Sequence, residues 1–137
     1  MSYADVFASQ PFRNQLVTLT LTGLQIRNML EQQWLDPKRP RILQVSKGFA
    51  YTWDGAKPYG ERVIAERMSL NGSPIEPATG YRVTVNNFLS TGGDGFTVLK
   101  DGTAPQIGIY DADALYAYFQ ANSPISPGRP DRIMRVN

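Results

Sequence analysis

Histidine and cysteine are both absent from the 137 residues. Their absence removes thiol nucleophiles, disulfides, imidazole general bases and every zinc site built from nitrogen and sulfur ligands. Any chemistry must rest on carboxylates, serines, tyrosines or lysines, or on a hard cation held by oxygen. Long apolar runs are missing as well. No stretch approaches the ~20 residues needed to cross a bilayer, and Met1-Ser2-Tyr3-Ala4-Asp5 has neither the basic nor the apolar region of a signal peptide. A charge excess of one sign is also lacking: 14 basic residues stand against 12 acidic ones, for a net charge of +2. Charge therefore gives no footprint for a nucleic-acid polymer, and no membrane partner is expected.

What is present, 42% hydrophobic and 19% charged side chains, is the profile of one globular domain over residues 1–137. The segment Gln15-Leu16-Val17-Thr18-Leu19-Thr20-Leu21 alternates β-branched and apolar residues and predicts a strand. It stops at Thr22-Gly23. Thr22 with Gln25 reads as a capping box, and Ile26, Met29, Leu30 and Trp34 share one helical face, so a helix is predicted over 23–33. Asp36-Pro37 and Pro40 end it. Further strands are predicted over 42–46, 49–53, 63–70 and 81–86, with tight turns at Asp54-Gly55 and Asn71-Gly72. Sequential antiparallel pairing is the simplest way to join them. A second helix starts at Asp111 as N-cap and carries Ala112, Leu115, Phe119 and Asn122 along one stripe until Ser123-Pro124. Ile133, Met134 and Val136 either form a terminal strand or lie over the surface. The expected class is α+β, with a mixed or antiparallel sheet of about five strands covered by two main helices.

Candidate chemistry concentrates in Asn86-Asn87-Phe88-Leu89-Ser90-Thr91-Gly92-Gly93-Asp94-Gly95-Phe96. Its glycines let a backbone approach a ligand, its asparagines and Asp94 add polar groups, and its phenylalanines add flat apolar faces. The bland alternative is a glycine-rich turn. It is no phosphate P-loop, since Phe96 and Thr97 stand where lysine and a hydroxyl residue are needed. It is no calcium β-roll, because nothing repeats. It also lacks the metal-binding acid of the Gly-Gly-Asp-Glu-Phe signature, which Gly95 replaces. Upstream, Gln10-Pro11-Phe12-Arg13-Asn14 offers an aromatic flanked by polar residues; taken alone, Phe12 reads as a sheet anchor and Arg13 as a solvated charge. Lys38-Arg39-Pro40-Arg41 reads as a basic surface loop without function.

Taken together, Tyr3-Ala4-Asp5-Val6-Phe7, Pro11-Phe12-Arg13-Asn14, Leu43-Gln44-Val45-Ser46, Phe49-Ala50-Tyr51, Tyr81-Arg82-Val83, Asn86-Asn87-Phe88 and Gly92-Gly93-Asp94-Gly95-Phe96 resemble, in order and spacing, the C-terminal domain of the bacterial 5′-nucleotidase family. Coverage runs from about Tyr3 to Gln120. The resemblance implies a substrate-binding domain in which Phe12 and Phe88 clamp a nucleotide base while Asn14 and Asp94 act as polar ligands. It implies no catalytic residue, metal or cofactor in this chain. A preceding metallophosphatase domain of the same polypeptide would hold two divalent metal ions and hydrolyse the phosphate ester. A periplasmic or cell-surface location is implied in the same way. Arg13 stands where the family usually has glycine, and Lys47 interrupts its usual Ser-Gly step. Family members act on nucleoside monophosphates, nucleotide sugars or cyclic nucleotides with similar motifs, so the motifs leave substrate preference open. Tyr3 falls at the family's domain boundary, which favours a fragment of a two-domain hydrolase, inactive alone. The alternatives are a stand-alone nucleoside or carbohydrate-binding module, and a structural interaction domain with both phenylalanines in its core.

Overall fold

Strand β1 (Gln15–Thr22) buries Val17, Leu19 and Leu21 on one face and turns Thr18 and Thr20 to the other, the two-residue period of a strand with one face in the core. The computed structural model describes residues 2–9, 11 and 13–137, so Met1, Gln10 and Phe12 lie outside it. The neighbours of β1 come from far along the chain: β5 (Gly80–Asn86) on one side and β6 (Thr103–Tyr110) on the other, both antiparallel. On the polar face, Arg82 donates to Thr20 Oγ1 (3.0 Å), the Ala104 carbonyl (2.7 Å) and Gln106 Oε1 (3.2 Å), tying all three strands. Sequential hairpins are thus not how this sheet is built. The chain leaves the sheet directly from β1 into a helix, so the next strand along the chain does not pair with it.

That helix, α2 (Gly23–Glu31), begins with the expected capping box: Thr22 Oγ1 accepts from the Gln25 amide (3.1 Å) and Gln25 Oε1 from the Thr22 amide (2.8 Å). Such a cap stabilises by about 1 kcal/mol. Gly23 is required here by space, since a Cβ would run into the Glu76 carbonyl and the Ile75 side chain. Ile26, Met29 and Leu30 face the core, and a 3-10 turn over Gln32–Trp34 extends the helix. Three consecutive polar side chains at this end bind distant loops. Glu31, 3% exposed, accepts amide hydrogens from Gly60 (3.0 Å), Arg62 (3.1 Å) and Val63 (2.5 Å). Gln32 accepts from the Val98 amide (3.1 Å) and donates to Thr97 Oγ1 (2.8 Å). Buried Gln33 accepts from the Leu43 amide (2.6 Å) and donates to the Tyr51 hydroxyl (3.0 Å). Burial pushes that hydroxyl above its ordinary pKa, with the Glu31 charge adding to the rise and the Gln33 hydrogen bond opposing it.

The second sheet runs β4 (Ser73–Pro74), β3 (Ser69–Leu70), β2 (Phe49–Asp54), β7 (Ile133–Val136), with β2 and β7 parallel. The α+β class stands, but its strands form two sheets of three and four rather than one of about five. Asn71-Gly72 makes the expected tight turn, both residues at positive φ. Asp54-Gly55 opens a turn, with the Lys57 amide on the Asp54 carbonyl (3.3 Å), but not a tight hairpin: β2 is answered by an isolated antiparallel bridge from Trp53 to Val63, across a loop that Glu31 holds. Residues 63–70 are a bridge, a 3-10 turn and two strand residues instead of one strand. Residues 42–46 have no strand pairing; the Leu43 amide goes to Gln33, and the Val45 carbonyl accepts from Arg132 (2.8 Å).

Helix α4 (Asp111–Asn122) lies beyond β6 and packs on α1 (Tyr3–Ser9) through an edge-on Tyr3–Tyr116 contact (5.4 Å) and a hydrogen bond from the Tyr3 hydroxyl to Asp113 (2.9 Å). That bond, more than any other factor, raises the Tyr3 pKa. The N-cap of α4 is Tyr110 rather than Asp111. Of the expected stripe, Ala112 is buried, Leu115 and Phe119 half-buried, and Asn122 exposed. The core collects Val17, Leu19, Leu21, Ile26, Leu30, Trp34, Tyr51, Val63, Phe96 and Leu99 between the two sheets and α2.

Candidate functional site

The end of the first sheet where β1 starts and β5 finishes brings the upstream segment to the glycine-rich loop. In the antiparallel register Leu16 faces Asn86, and the Gln15 amide donates to Asn87 Oδ1 (3.0 Å). The Asn14 carbonyl accepts the Asp111 amide (2.7 Å), which ties this segment to the first residue of α4. Asn86 caps a single turn, α3 (Asn87–Ser90), by accepting the Leu89 amide (2.8 Å). The side chains of Asn86 and Asn87 are thus engaged in building the loop.

The loop's two phenylalanines part ways. Phe96 is 1% exposed and belongs to the core, whereas Phe88 is 49% exposed. Among the described phenylalanines it alone is exposed, although Tyr59 and Tyr118 are equally open. One side of the Phe88 ring is backed by Gly93, where a Cβ would lie 2.6 Å from Cε1 of the ring, so only glycine lets the backbone come this close. Asp94 follows in a left-handed turn (φ 57°) between Gly92 (φ 89°) and Gly95 (φ 85°). Its carboxylate pairs with Arg41.

Arg41 belongs to the run that the sequence predicts to be a functionless surface loop. Its amide donates to the Gln33 carbonyl (2.8 Å), while Gln32 holds Thr97 and Val98; the end of α2 therefore brings Arg41 and Asp94 together from opposite sides. No short-range pattern signals a contact of this sequence separation.

Asn14, Phe88 and Asp94 thus lie along neighbouring segments at one end of the sheet, and Phe12 lies outside the described residues. Arg13 has φ 52° and places its guanidinium 5.9 Å from the Phe7 ring centroid. A left-handed non-glycine residue is strained by about 1 kcal/mol. Arg13→Gly is accordingly expected to be more stable than Arg13→Ala by about 1 kcal/mol, inverting the usual order of glycine and alanine. Chemical denaturation of the two variants checks this.

Two open grooves, of about 460 and 510 Å³, lie elsewhere: beside residues 128–133, and between α2, β5 and residues 42–49. Neither is lined by Asn14, Phe88 or Asp94. Among the described residues, no three carboxylate side chains stand close enough together to hold a metal ion.

Residues 1–101 match the family described as 5′-nucleotidase, C-terminal domain. The chain belongs to that family. A solved 5′-nucleotidase precursor from Thermus thermophilus superposes on this C-terminal domain with a TM-score of 0.84 at 34% identity, covering 100% of this chain and 28% of that one. Protein UshA of Escherichia coli is 31% identical over 91% of this chain and 22% of its own length. For an apyrase of Tabanus yao the figures are 30%, 97% and 26%. The 5′-nucleotidase C-terminal domain described here thus spans about a quarter of the length of these relatives.

Proposed function

We propose that this 5′-nucleotidase C-terminal domain holds the nucleoside part of a nucleotide, while a preceding metallophosphatase domain with two divalent metal ions hydrolyses the phosphate ester. Phe12 and Phe88 clamp the base, and Asn14 and Asp94 bind the ribose and the base edge. The observation that carries this reading is Phe88: a half-exposed ring on a glycine backing, in the same loop as a carboxylate held in a left-handed turn. Aromatic faces stack on any base for about 1–3 kcal/mol each, and a carboxylate accepting ribose hydroxyls adds orientation. The wider protein acts in the periplasm or at the cell surface, as the family resemblance implies, and the isolated domain does not hydrolyse nucleotides.

Because association itself costs several kcal/mol, two stacking contacts alone give an affinity of about millimolar at best. Titrating the ¹⁵N-labelled chain with adenosine is expected to move amide resonances of residues 13–15 and 86–96 at millimolar concentration and to leave those of β7 in place. Resonances of the loop unmoved by ~10 mM adenosine would count against a nucleoside site here.

A further inference from the structure

Strand β5 closes the first sheet on one side, paired with β1 and with no other strand among the described residues. In an antiparallel pair alternate residues turn their N–H and C=O groups away from the neighbour, and over residues 81–85 those groups have no hydrogen-bond partner among the described residues. The open groove of about 510 Å³ runs along this free edge. All of residues 81–85 line it, both those packed on the core (Tyr81, Val83, Val85) and those turned away from it (Arg82, Thr84), so the groove follows the edge of the strand rather than one face. Across from them stand residues 43–46, which have no strand pairing either. With the Leu43 amide on Gln33 and the Val45 carbonyl on Arg132, the N–H and C=O of Gln44 have no partner among the described residues. Between the two walls lie apolar side chains, Ile26, Met29 and Leu30 of α2 with Phe49. The only charged side chain among the described lining residues is Arg82, and its guanidinium is engaged across β1 by Thr20, the Ala104 carbonyl and Gln106.

We propose that this groove receives one extended peptide segment of a partner chain, uncharged and apolar at every second residue, which adds to the free edge of β5 as a fourth strand. Strand addition combines a row of main-chain hydrogen bonds with pockets for alternate side chains, and the groove offers both. The edge over 81–85 accommodates about five residues, or ~17 Å at the rise of a strand. Inward side chains meet Ile26, Met29, Leu30 and Phe49, where a charge would be buried without a counter-charge. Outward ones stand beside Arg82 and Thr84 on the polar face. On its other edge β5 already pairs with a strand of this pattern, β1, with Val17, Leu19 and Leu21 inward and threonines between them. A folded edge such as β6 of a second copy does not fit, because it brings its own neighbour, β1, to the place where residues 43–46 stand. The slot takes a single strand. Asn14, Phe88 and Asp94 do not line it, so peptide and nucleoside would be held at separate places.

The test is an NMR titration of the ¹⁵N-labelled chain with three end-blocked hexapeptides: Thr-Val-Thr-Leu-Thr-Val, the scrambled Thr-Thr-Thr-Val-Leu-Val, and the first sequence with alternate amides N-methylated. The first is expected to bind at ~0.1–1 mM, to move resonances of residues 43–46 and 81–85, and to slow amide hydrogen exchange at alternate residues of β5, leaving β6 in place. The scrambled and N-methylated peptides are expected to bind at least ~10-fold more weakly, one for lost alternation and the other for lost main-chain hydrogen bonds. Gln44→Pro removes the N–H of an exposed wall residue and is expected to weaken binding of the first peptide ~3- to 10-fold. The peptide series decides even if that variant fails to fold. Equal affinity for the N-methylated peptide would overturn the proposal, since the groove would then be an apolar patch and no strand slot. Shifts confined to β6, or none at ~5 mM of the first peptide, would overturn it too. So would movement of the 81–85 resonances on diluting the chain alone, which would seat a second copy in the groove.

Discussion

Under the proposed clamp, Phe88→Ala in a longer protein that carries this domain is expected to raise the KM for a nucleotide roughly 5- to 150-fold while lowering kcat much less. The size follows from the loss of one stacking face, about 1–3 kcal/mol. The split follows from where the ring acts. A base held far from the reacting phosphorus is gripped equally in the ground and transition states, so its loss appears as weaker uniform binding. Because Phe88 is half-exposed and touches Gly93 rather than the core, the variant should keep its fold, which circular dichroism can verify. An unchanged KM in a folded Phe88→Ala protein would remove Phe88 from the site and weaken the role given to Asp94 in the same loop.

Glu31→Ala is expected to act on stability alone and strongly. The carboxylate is buried and gathers the amides of Gly60, Arg62 and Val63, and the Val63 carbonyl is taken in turn by Arg27 (3.1 Å). Truncation strands these donors. Gly60 is exposed and can turn to water, but Val63 is fully buried and cannot. Hydrogen bonds to a charged group contribute about 1.5–3 kcal/mol each, and an unpaired buried donor is costly, so a net loss of about 3 kcal/mol and a fall in Tm of about 10 °C are expected. Scanning calorimetry of the variant measures both. A loss under about 1 kcal/mol would mean that the loop after β2 is held by the Trp53–Val63 bridge without Glu31.

Local patterns were legible where local chemistry decides. The alternation of β1, the Thr22–Gln25 capping box, the Asn71-Gly72 turn and the strand ending at Asn86 each follow from residues a few positions apart. Where distant partners decide, the pattern misleads. Residues 42–46 alternate like a strand, but Gln33 supplies the partner that a neighbouring strand would have supplied. Strand β6 escaped notice for the opposite reason: it is an exposed edge, with Pro105 and Gly108 in its length and Ile107 73% exposed, so it shows no buried face to read. Helix α1 is short and owes its place to Tyr116 and Asp113 on α4. In the site, Phe88 and Asp94 stand out through the motif around them. Arg41 does not, because its contact with Asp94 exists only once the end of α2 has gathered both loops.

The order of strands in the first sheet also governs when the domain can form during synthesis. β1 is complete at Thr22, yet its neighbours are β5 and β6, the last of which ends at Tyr110. Pairings of such long sequence separation place a domain among the slow folders, in the range of about milliseconds to seconds. Until Asn86 has left the ribosome β1 has no strand beside it, and until Tyr110 has left it one of its edges stays open. The stretch from Leu16 to Thr22 carries no charge and no proline, the composition that invites strand-to-strand association between unfinished chains. Strand β1 is therefore the one that a nascent chain must shield the longest.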